Sequence, residues 1–281
     1  MRHLLLCTDL DRTLLPNGSE PESSQARKKF RQLAEHSQVT LVYVTGRHQQ
    51  LVKMAIEEYQ LPQPDFVIAD VGSTIYEITN GDWHYLQTWE KLINNDWHGK
   101  DICELQTLFI DINNIQLQES SKQNTHKLSY YIPSNSDQQT IIADMKKILE
   151  QQSIAANLIY SFDQQANTGL LDVLPASAGK RQAIEFLMQQ LDFDYSETIF
   201  AGDSGNDICV MSSPIQSILV ANADEDVRAM AINQARLNHQ LDTLYLAQGN
   251  FMQMNGNYSA GILEGVVHYI PQTEQWLEDK T

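Results

Sequence analysis

The two ends of the chain share one pattern, and the middle breaks it. Over residues 1–79, and again from residue 175, short unbroken apolar runs alternate with stretches of helical spacing. An apolar run with no polar interruption reads as a strand buried on both faces, and such strands belong to parallel sheets covered by helices. His3 to Thr8 is the first run, and it stops at Asp9. Ser24 to His36 then places Ala26, Phe30, Leu33 and Ala34 on one helical face. Val39 to Val44 is a second strand, Gln49 to Tyr59 a second helix, and Asp65 to Ala69 a third strand. Lys180 to Leu191 opens a helix, and Thr198 to Ala201 and Ser217 to Val220 are strands again. The pattern predicts an α/β fold with a Rossmann-like, doubly wound core and a parallel sheet, whose functional loops lie at the carboxyl ends of the strands.

Asn80-Gly81, a hairpin turn signal, marks the change. Beyond it the sequence predicts a helix near Gly99 to Ile110, a strand over Lys127 to Ile132 and a helix over Thr140 to Gln151. Strands near Asn157 to Phe162 and Gly169 to Leu174 follow. This mixed order fits an α+β cap domain, residues 80–174, inserted into a core made of residues 1–79 and 175–281.

Composition removes several function classes. Nineteen basic against 36 acidic residues give a formal charge of -17, and no Lys/Arg cluster offers a footprint for nucleic acid or an anionic membrane. Cys7, Cys103 and Cys209 are odd in number and lack CxxC spacing, against a disulfide framework or a structural zinc site. No run approaches the roughly 20 apolar residues of a membrane span, so a cytoplasmic location is expected. An acidic chain can still bind phosphate where metal ions and a few placed cations reverse the local field.

Four polar clusters stand where core strands end. Asp9-Leu10-Asp11-Arg12-Thr13 sets two carboxylates two residues apart. In a loop such a pair is often only a solvated turn. At the end of a buried strand it can divide phosphoryl transfer, one carboxylate attacking phosphorus while the other protonates the leaving oxygen and later activates water. Thr45-Gly46-Arg47 follows the second strand, where a hydroxyl and backbone N–H groups can hold phosphate oxygens, or where the chain simply turns into a helix. Lys180, after Gly179 at a helix start, either neutralises a phosphate or is an ordinary surface lysine. Gly202-Asp203-Ser204-Gly205-Asn206-Asp207 is a solvated acidic loop or a set of hard oxygen ligands of the kind Mg²⁺ takes. No HExxH pair, Walker loop or GxSxG elbow competes with this reading.

In this order the clusters resemble the four motifs of the haloacid dehalogenase-like (HAD) superfamily, in its branch with a C2-type cap inserted after the third strand. The resemblance implies a Mg²⁺-dependent phosphatase with Asp9 as nucleophile, Asp11 as general acid/base, and Thr45 and Lys180 as phosphate holders. It implies Mg²⁺ at Asp203 and Asp207, joined by Asp9 and the Asp11 main-chain carbonyl. Gly46, Arg47 and Asn206 complete the expected phosphate-binding set, with Lys127 and Asp172 from the cap.

Finer stretches resemble the sucrose-phosphate phosphatases: Val71-Gly72-Ser73 with Ile75-Tyr76, Lys127-Leu128-Ser129-Tyr130, Asp172-Val173-Leu174-Pro175 and Ala260-Gly261-Ile262-Leu263-Glu264. Pro175 to Gly179 departs from that family's usual Asn or Ser ahead of its glycine and lysine. The implied reaction is hydrolysis of sucrose 6-phosphate to sucrose and phosphate through an aspartyl-phosphate. Mannosylfructose-phosphate and other sugar-phosphate phosphatases share the architecture. A phosphohexomutase returns the phosphoryl group to another hydroxyl instead of water, and a noncatalytic sugar-phosphate binding module is a further alternative. The expected state is a monomer acting on a small sugar phosphate, with association with a sugar-phosphate synthase left open. Lys127, Tyr130, Asp163 and Asp172 are candidates to read the sugar. Trp83, Trp89, Trp97 and Tyr131 either stack on it or pack the cap core. Asn222 either braces the Asp203 loop or caps a helix.

Overall fold

The computed structural model describes residues 4–163 and 166–278, so His3, the expected start of the first strand, lies outside the described residues. The first half of the core comprises β1 (Leu4–Thr8), α1 (Ala26–Ala34), β2 (Val39–Val44), α2 (Gln49–Glu58), β3 (Phe66–Ala69), β4 (Thr74–Thr79) and β5 (Asp82–Tyr85). The cap segment contributes α3 (Gln87–Ile93), α4 (Ile102–Leu108), β6 (Gln116–Leu117), β7 (Leu128–Pro133), α5 (Gln138–Gln151), β8 (Ala156–Asp163) and β9 (Thr168–Pro175). The core resumes with α6 (Lys180–Leu191), β10 (Thr198–Gly202), α7 (Ile208–Met211), β11 (Gln216–Leu219), α8 (Glu225–Leu237), β12 (Leu244–Leu246) and α9 (Ser259–Tyr269).

The large sheet has the order β12-β11-β10-β1-β2-β3-β4-β5, parallel from β12 to β3 and antiparallel beyond. Every residue of β1 is buried because the strand is covered twice. Leu4 and Leu6 pack with Phe30 and Leu33 of α1 and Ile262 of α9. Leu5 and Cys7 pack on the opposite side with Ala183, Ile184 and Leu187 of α6. Successive side chains of a strand point to opposite faces, so an unbroken apolar run is what a doubly covered strand needs. Winding reverses between β1 and β10, and the crevice outside the carboxyl ends at such a reversal is where α/β sheets bind ligands.

The Asn80-Gly81 turn joins β4 to β5, and both strands extend the large sheet. The sheet therefore runs on to Tyr85, past the break expected at residue 80. The cap sheet has the order β6-β7-β9-β8 and is antiparallel throughout. Leu128, Tyr130, Ile132, Leu171 and Val173 on one face pack with Leu105 of α4, with Phe109 just beyond it, and with Met145 and Leu149 of α5. Alternation sends Ser129, Tyr131, Leu170 and Asp172 to the other face. Leu174 and Ile159, on that second face, join the apolar cluster of the core, so it is the face turned towards the core sheet.

This geometry corrects part of the sugar-reading expectation. Tyr130 faces the cap helices, edge-on to Phe109, whereas Tyr131 is on the core-facing side and donates its hydroxyl to Glu119 at 2.9 Å. Trp97 is buried inside the cap, and Trp89 is buried against Phe186 of the core with its indole N–H on the Gly72 carbonyl. Both pack. Trp83 stands edge-on to Tyr76 with the Lys53 ammonium 5.0 Å above its ring. Asp163, at the end of β8, accepts from the Ala166 N–H.

Candidate active site

Asp9 follows β1 and Asp203 follows β10, so the two neighbouring strands at the reversal deliver both carboxylates to one place. The Asp9 N–H donates to the Ala201 carbonyl, which extends the ladder up to the site. Asp207 arrives through the tight turn Gly202–Asp207, where a Cβ on Gly202 would stand 2.6 Å from Asp207 Cγ; only glycine fits there. Ligand oxygens of Asp9, Asp203 and Asp207 all lie within 4.8 Å of one another, and all three residues are buried.

Lys180, 1% exposed, is set between two of them: Nζ is 2.7 Å from Asp207 Oδ1 and 3.1 Å from Asp9 Oδ1. Asp207 Oδ2 accepts from the N–H groups of Asp203 and Ser204 and from the Ser204 hydroxyl. Thr13 donates to Asp203 Oδ1 at 2.8 Å, and Arg12 Nε lies 3.6 Å from Asp203 Oδ2. Burial alone would push the Lys180 ammonium to deprotonate, but Asp207 and Asp9 more than offset it and hold the proton on. Burial raises Asp9 well above the ordinary carboxylate range, with Asp207, Asp203 and Asp11 adding to it against the pull of Lys180. Burial, then repulsion from Asp207, pushes Asp203 up to about 7.

Three carboxylates face one ammonium and an Arg12 guanidinium that is itself paired with Asp224, which leaves negative charge in excess in a buried pocket. A hard divalent cation answers that imbalance, and an all-oxygen donor set of carboxylates suits Mg²⁺. The residues present therefore fit the expected ion.

Asp11 points elsewhere. Arg47 grips its carboxylate with two bonds, Nε to Oδ2 at 2.8 Å and Nη2 to Oδ1 at 2.6 Å, and Asn17 adds a third to Oδ1 at 2.7 Å. Burial works to raise its pKa, but these donors outweigh it and hold Asp11 below its ordinary value. The Arg47 fork, expected on phosphate, is thus engaged by Asp11. Asp11 brings no side-chain oxygen to the three-carboxylate cluster. Thr45 is buried and its Oγ1 accepts from the Arg47 N–H at 3.1 Å. Among the described residues a Cβ on Gly46 would meet only Val71 Cγ2, at 3.7 Å, so none of them demands glycine there. Asn206 Oδ1 lies 3.1 Å from the Ser204 hydroxyl, whose one proton it shares with Asp207 Oδ2, within the Gly202–Asp207 turn.

The cap meets the core at the turn after β3. Lys127 Nζ lies 3.8 Å from Asp70 Oδ1, both nearly inaccessible, and Asn124 donates to Ser73 Oγ at 3.1 Å. Asp172 accepts from the Ser129 hydroxyl on the core-facing side of the cap sheet. Asp70, Val71 and Gly72 form a run of left-handed residues, with φ of 52°, 60° and 97°. Their N–H groups close the neighbouring loop, Asp70 onto the Arg47 carbonyl and Val71 onto that of Thr45. Gly72 is pressed against the backbone of Gly179, one residue before Lys180. One turn thereby sets both the Thr45 loop and the lysine.

Sequence reasoning missed Arg12, Asn17 and Asp70. Arg12 carries no motif signal, and φ of +57° at a non-glycine residue leaves no trace in composition. Asn222 was expected to brace the Asp203 loop or cap a helix. It donates to the Arg12 carbonyl at 2.6 Å and accepts from the Tyr258 N–H at 2.8 Å, so it reaches the Asp203 loop through Arg12.

The family model for sucrose-6F-phosphate phosphohydrolase matches residues 2–270. The chain belongs to this family. It is a phosphatase of the HAD type. A HAD-like hydrolase from Nitrosococcus oceani is 50% identical over 98% of this chain and 74% of its own length. Sucrose-phosphatase 2 from Nicotiana tabacum is 29% identical over 94% of this chain, which spans 59% of that longer protein. Among solved structures, the sucrose-phosphatase from Synechocystis in complex with sucrose and phosphate has a TM-score of 0.78 at 26% identity, covering 96% of this chain and 99% of that one. The family model and the likeness to the Synechocystis structure both extend over core and cap.

Proposed function

We propose that the protein hydrolyses sucrose 6-phosphate to sucrose and inorganic phosphate through an aspartyl-phosphate on Asp9. The observation that carries the chemistry is the buried Asp9, with Lys180 3.1 Å from its Oδ1, at the strand reversal beside Asp203 and Asp207. The substrate rests on the family match and on the likeness to the Synechocystis enzyme, whose structure holds sucrose and phosphate.

Asp9, Asp203, Asp207 and the Asp11 carbonyl would hold Mg²⁺, which supplies neutralisation of phosphate charge and orientation of the phosphoryl group. Lys180 neutralises a further phosphate oxygen, and the Thr45 hydroxyl and the backbone at Gly46 cradle the others. The Asp9 carboxylate bonds to phosphorus as the ester P–O bond breaks, and Asp11 gives its proton to the departing sugar alkoxide. Water then attacks the aspartyl-phosphate, Asp11 takes its proton, and phosphate leaves with Asp9 restored. The first step needs Asp11 protonated, whereas Arg47 favours the ionised form. An arriving phosphate dianion competes for the Arg47 fork and releases Asp11 to its acidic role. The cap excludes bulk water during the transfer.

Phosphate release should be measured with Mg²⁺ on sucrose 6-phosphate, mannosylfructose phosphate and glucose 6-phosphate. Sucrose 6-phosphate should be the best substrate by kcat/KM; a preference for either other ester overturns the substrate reading. Isomer interconversion without net phosphate release would make the protein a mutase. Asp9→Asn should reduce turnover by about 10³-fold or more, and appreciable turnover in that variant excludes the covalent route.

A further inference from the structure

Asn17 lies in the loop after β1, outside the four motifs, yet its carboxamide makes two bonds of 2.7 Å into the site. Oδ1 accepts from the Arg12 N–H, and Nδ2 donates to Asp11 Oδ1. An N–H offers no lone pair and an ionised carboxylate no proton, so only this orientation of the amide satisfies both partners. One side chain thus fixes the Asp11 carboxylate and the peptide between Asp11 and Arg12. Because that peptide is trans, its carbonyl faces away from Asn17.

The loop is anchored to do this. Arg12 sits at φ of +57°, a conformation that a non-glycine residue keeps only with outside support. Asn17 supports its N–H side, and Asn222 supports its carbonyl. Next to Asn17, Gly18 is packed so closely on Tyr258 that a Cβ would stand 2.7 Å from the phenol oxygen. That hydroxyl in turn donates to the Glu20 carbonyl.

We propose that Asn17 is a positioning residue for proton transfer by Asp11. It holds Oδ1, while Oδ2, which among the described residues is bonded only by Arg47 Nε in the resting arrangement, becomes the oxygen that carries the proton once Arg47 turns to phosphate. As Asp9 bonds to phosphorus and the ester P–O bond breaks, the proton on Oδ2 passes to the alkoxide; attack by water later returns a proton to the same oxygen. Without Asn17, Asp11 loses its aim when Arg47 leaves. This inference rests on the proposed acid/base role of Asp11.

The test compares leaving groups. Asn17→Asp keeps the size and the acceptor for Arg12 but replaces the donor to Asp11 with an acceptor; Asn17→Ala removes both. With Mg²⁺, Asn17→Asp should lower kcat/KM for sucrose 6-phosphate by about 10-fold or more, because its alkoxide needs a proton. It should change kcat/KM for p-nitrophenyl phosphate by less than about 3-fold, because nitrophenolate departs without one. Glucose 6-phosphate replaces sucrose 6-phosphate if the wild type spares the latter. Equal losses on both esters, or no loss on the alkyl ester, in both variants overturn the inference. Asp11→Asn separates the two readings. If Asp11→Asn is selective for the alkyl ester and the Asn17 variants are not, only the role of Asn17 fails. If Asp11→Asn is not selective either, the role of Asp11 fails first and that of Asn17 with it.

Discussion

Lys180 shows how a single residue can serve stability as well as the proposed reaction. Its ammonium is inaccessible to water and is tolerated because Asp9 and Asp207 contact it directly. Removing one partner of a buried ion pair leaves an uncompensated charge, which costs about 3–5 kcal/mol. Lys180→Ala should therefore lose about that much unfolding free energy in urea, in addition to its activity, and Mg²⁺ should recover part of the stability. A Lys180→Ala protein as stable as wild type in the absence of metal would contradict the burial argument. Arg47 differs in kind. Its side chain is 23% exposed and its fork is already occupied by Asp11, so on the proposed mechanism its worth lies in exchange between two anions rather than in holding the fold.

At the scale of elements, the turn Asp70–Gly72 after β3 locks the Thr45 loop through two backbone bonds and the Lys180 helix through the Gly72–Gly179 contact. Gly72→Ala would add a Cβ at φ of 97° into that backbone, a strain of about 1–3 kcal/mol or more. Thermal unfolding should shift down accordingly and kcat should fall, because the start of α6 must move; unchanged kcat would show that the contact does not set the lysine. The elements themselves were largely legible. β1, β2, β3, α6 and β10 came from unbroken apolar runs and 3.6-residue spacing, and Asp9, Lys180, Asp203 and Asp207 from their places at the ends of those elements. The rest was written in long-range contacts. β5 reads as cap from its hairpin signal because nothing local says which sheet it joins. α4 starts at Ile102 rather than near Gly99 because Asp101 and Glu104 form a reciprocal cap. The partners of Arg47 and Asn17 depend on loops that meet only in three dimensions.

For the whole molecule, the buried acidic pocket couples stability to pH and to metal. Asp203 is raised from its ordinary 3.8 to about 7, and Asp9 is raised too. A carboxyl group raised by folding stabilises fully below its ordinary value and loses that contribution as pH climbs through the folded value. Asp11, lowered instead, acts only at the acid end, below that window. In EDTA, Tm should decline from about pH 5 to pH 8, and Mg²⁺ should raise Tm at pH 8 far more than at pH 5. A Tm independent of pH in EDTA, or an equal gain from Mg²⁺ at both values, would refute the coupling.

The meeting of Gly72 with Gly179 has a bearing on inheritance. Two residues without side chains hold Lys180, the charge proposed to face phosphate, so the contact stores no record of what that phosphate is attached to. On the proposed function such a record falls to the cap, whose β7 and β9 turn one face towards the core. A lineage can then exchange one esterified sugar for another by rewriting the core-facing side of β7 and β9 while the machinery beneath stays fixed. Enzymes that part company over substrate should accordingly still agree on that pair of glycines.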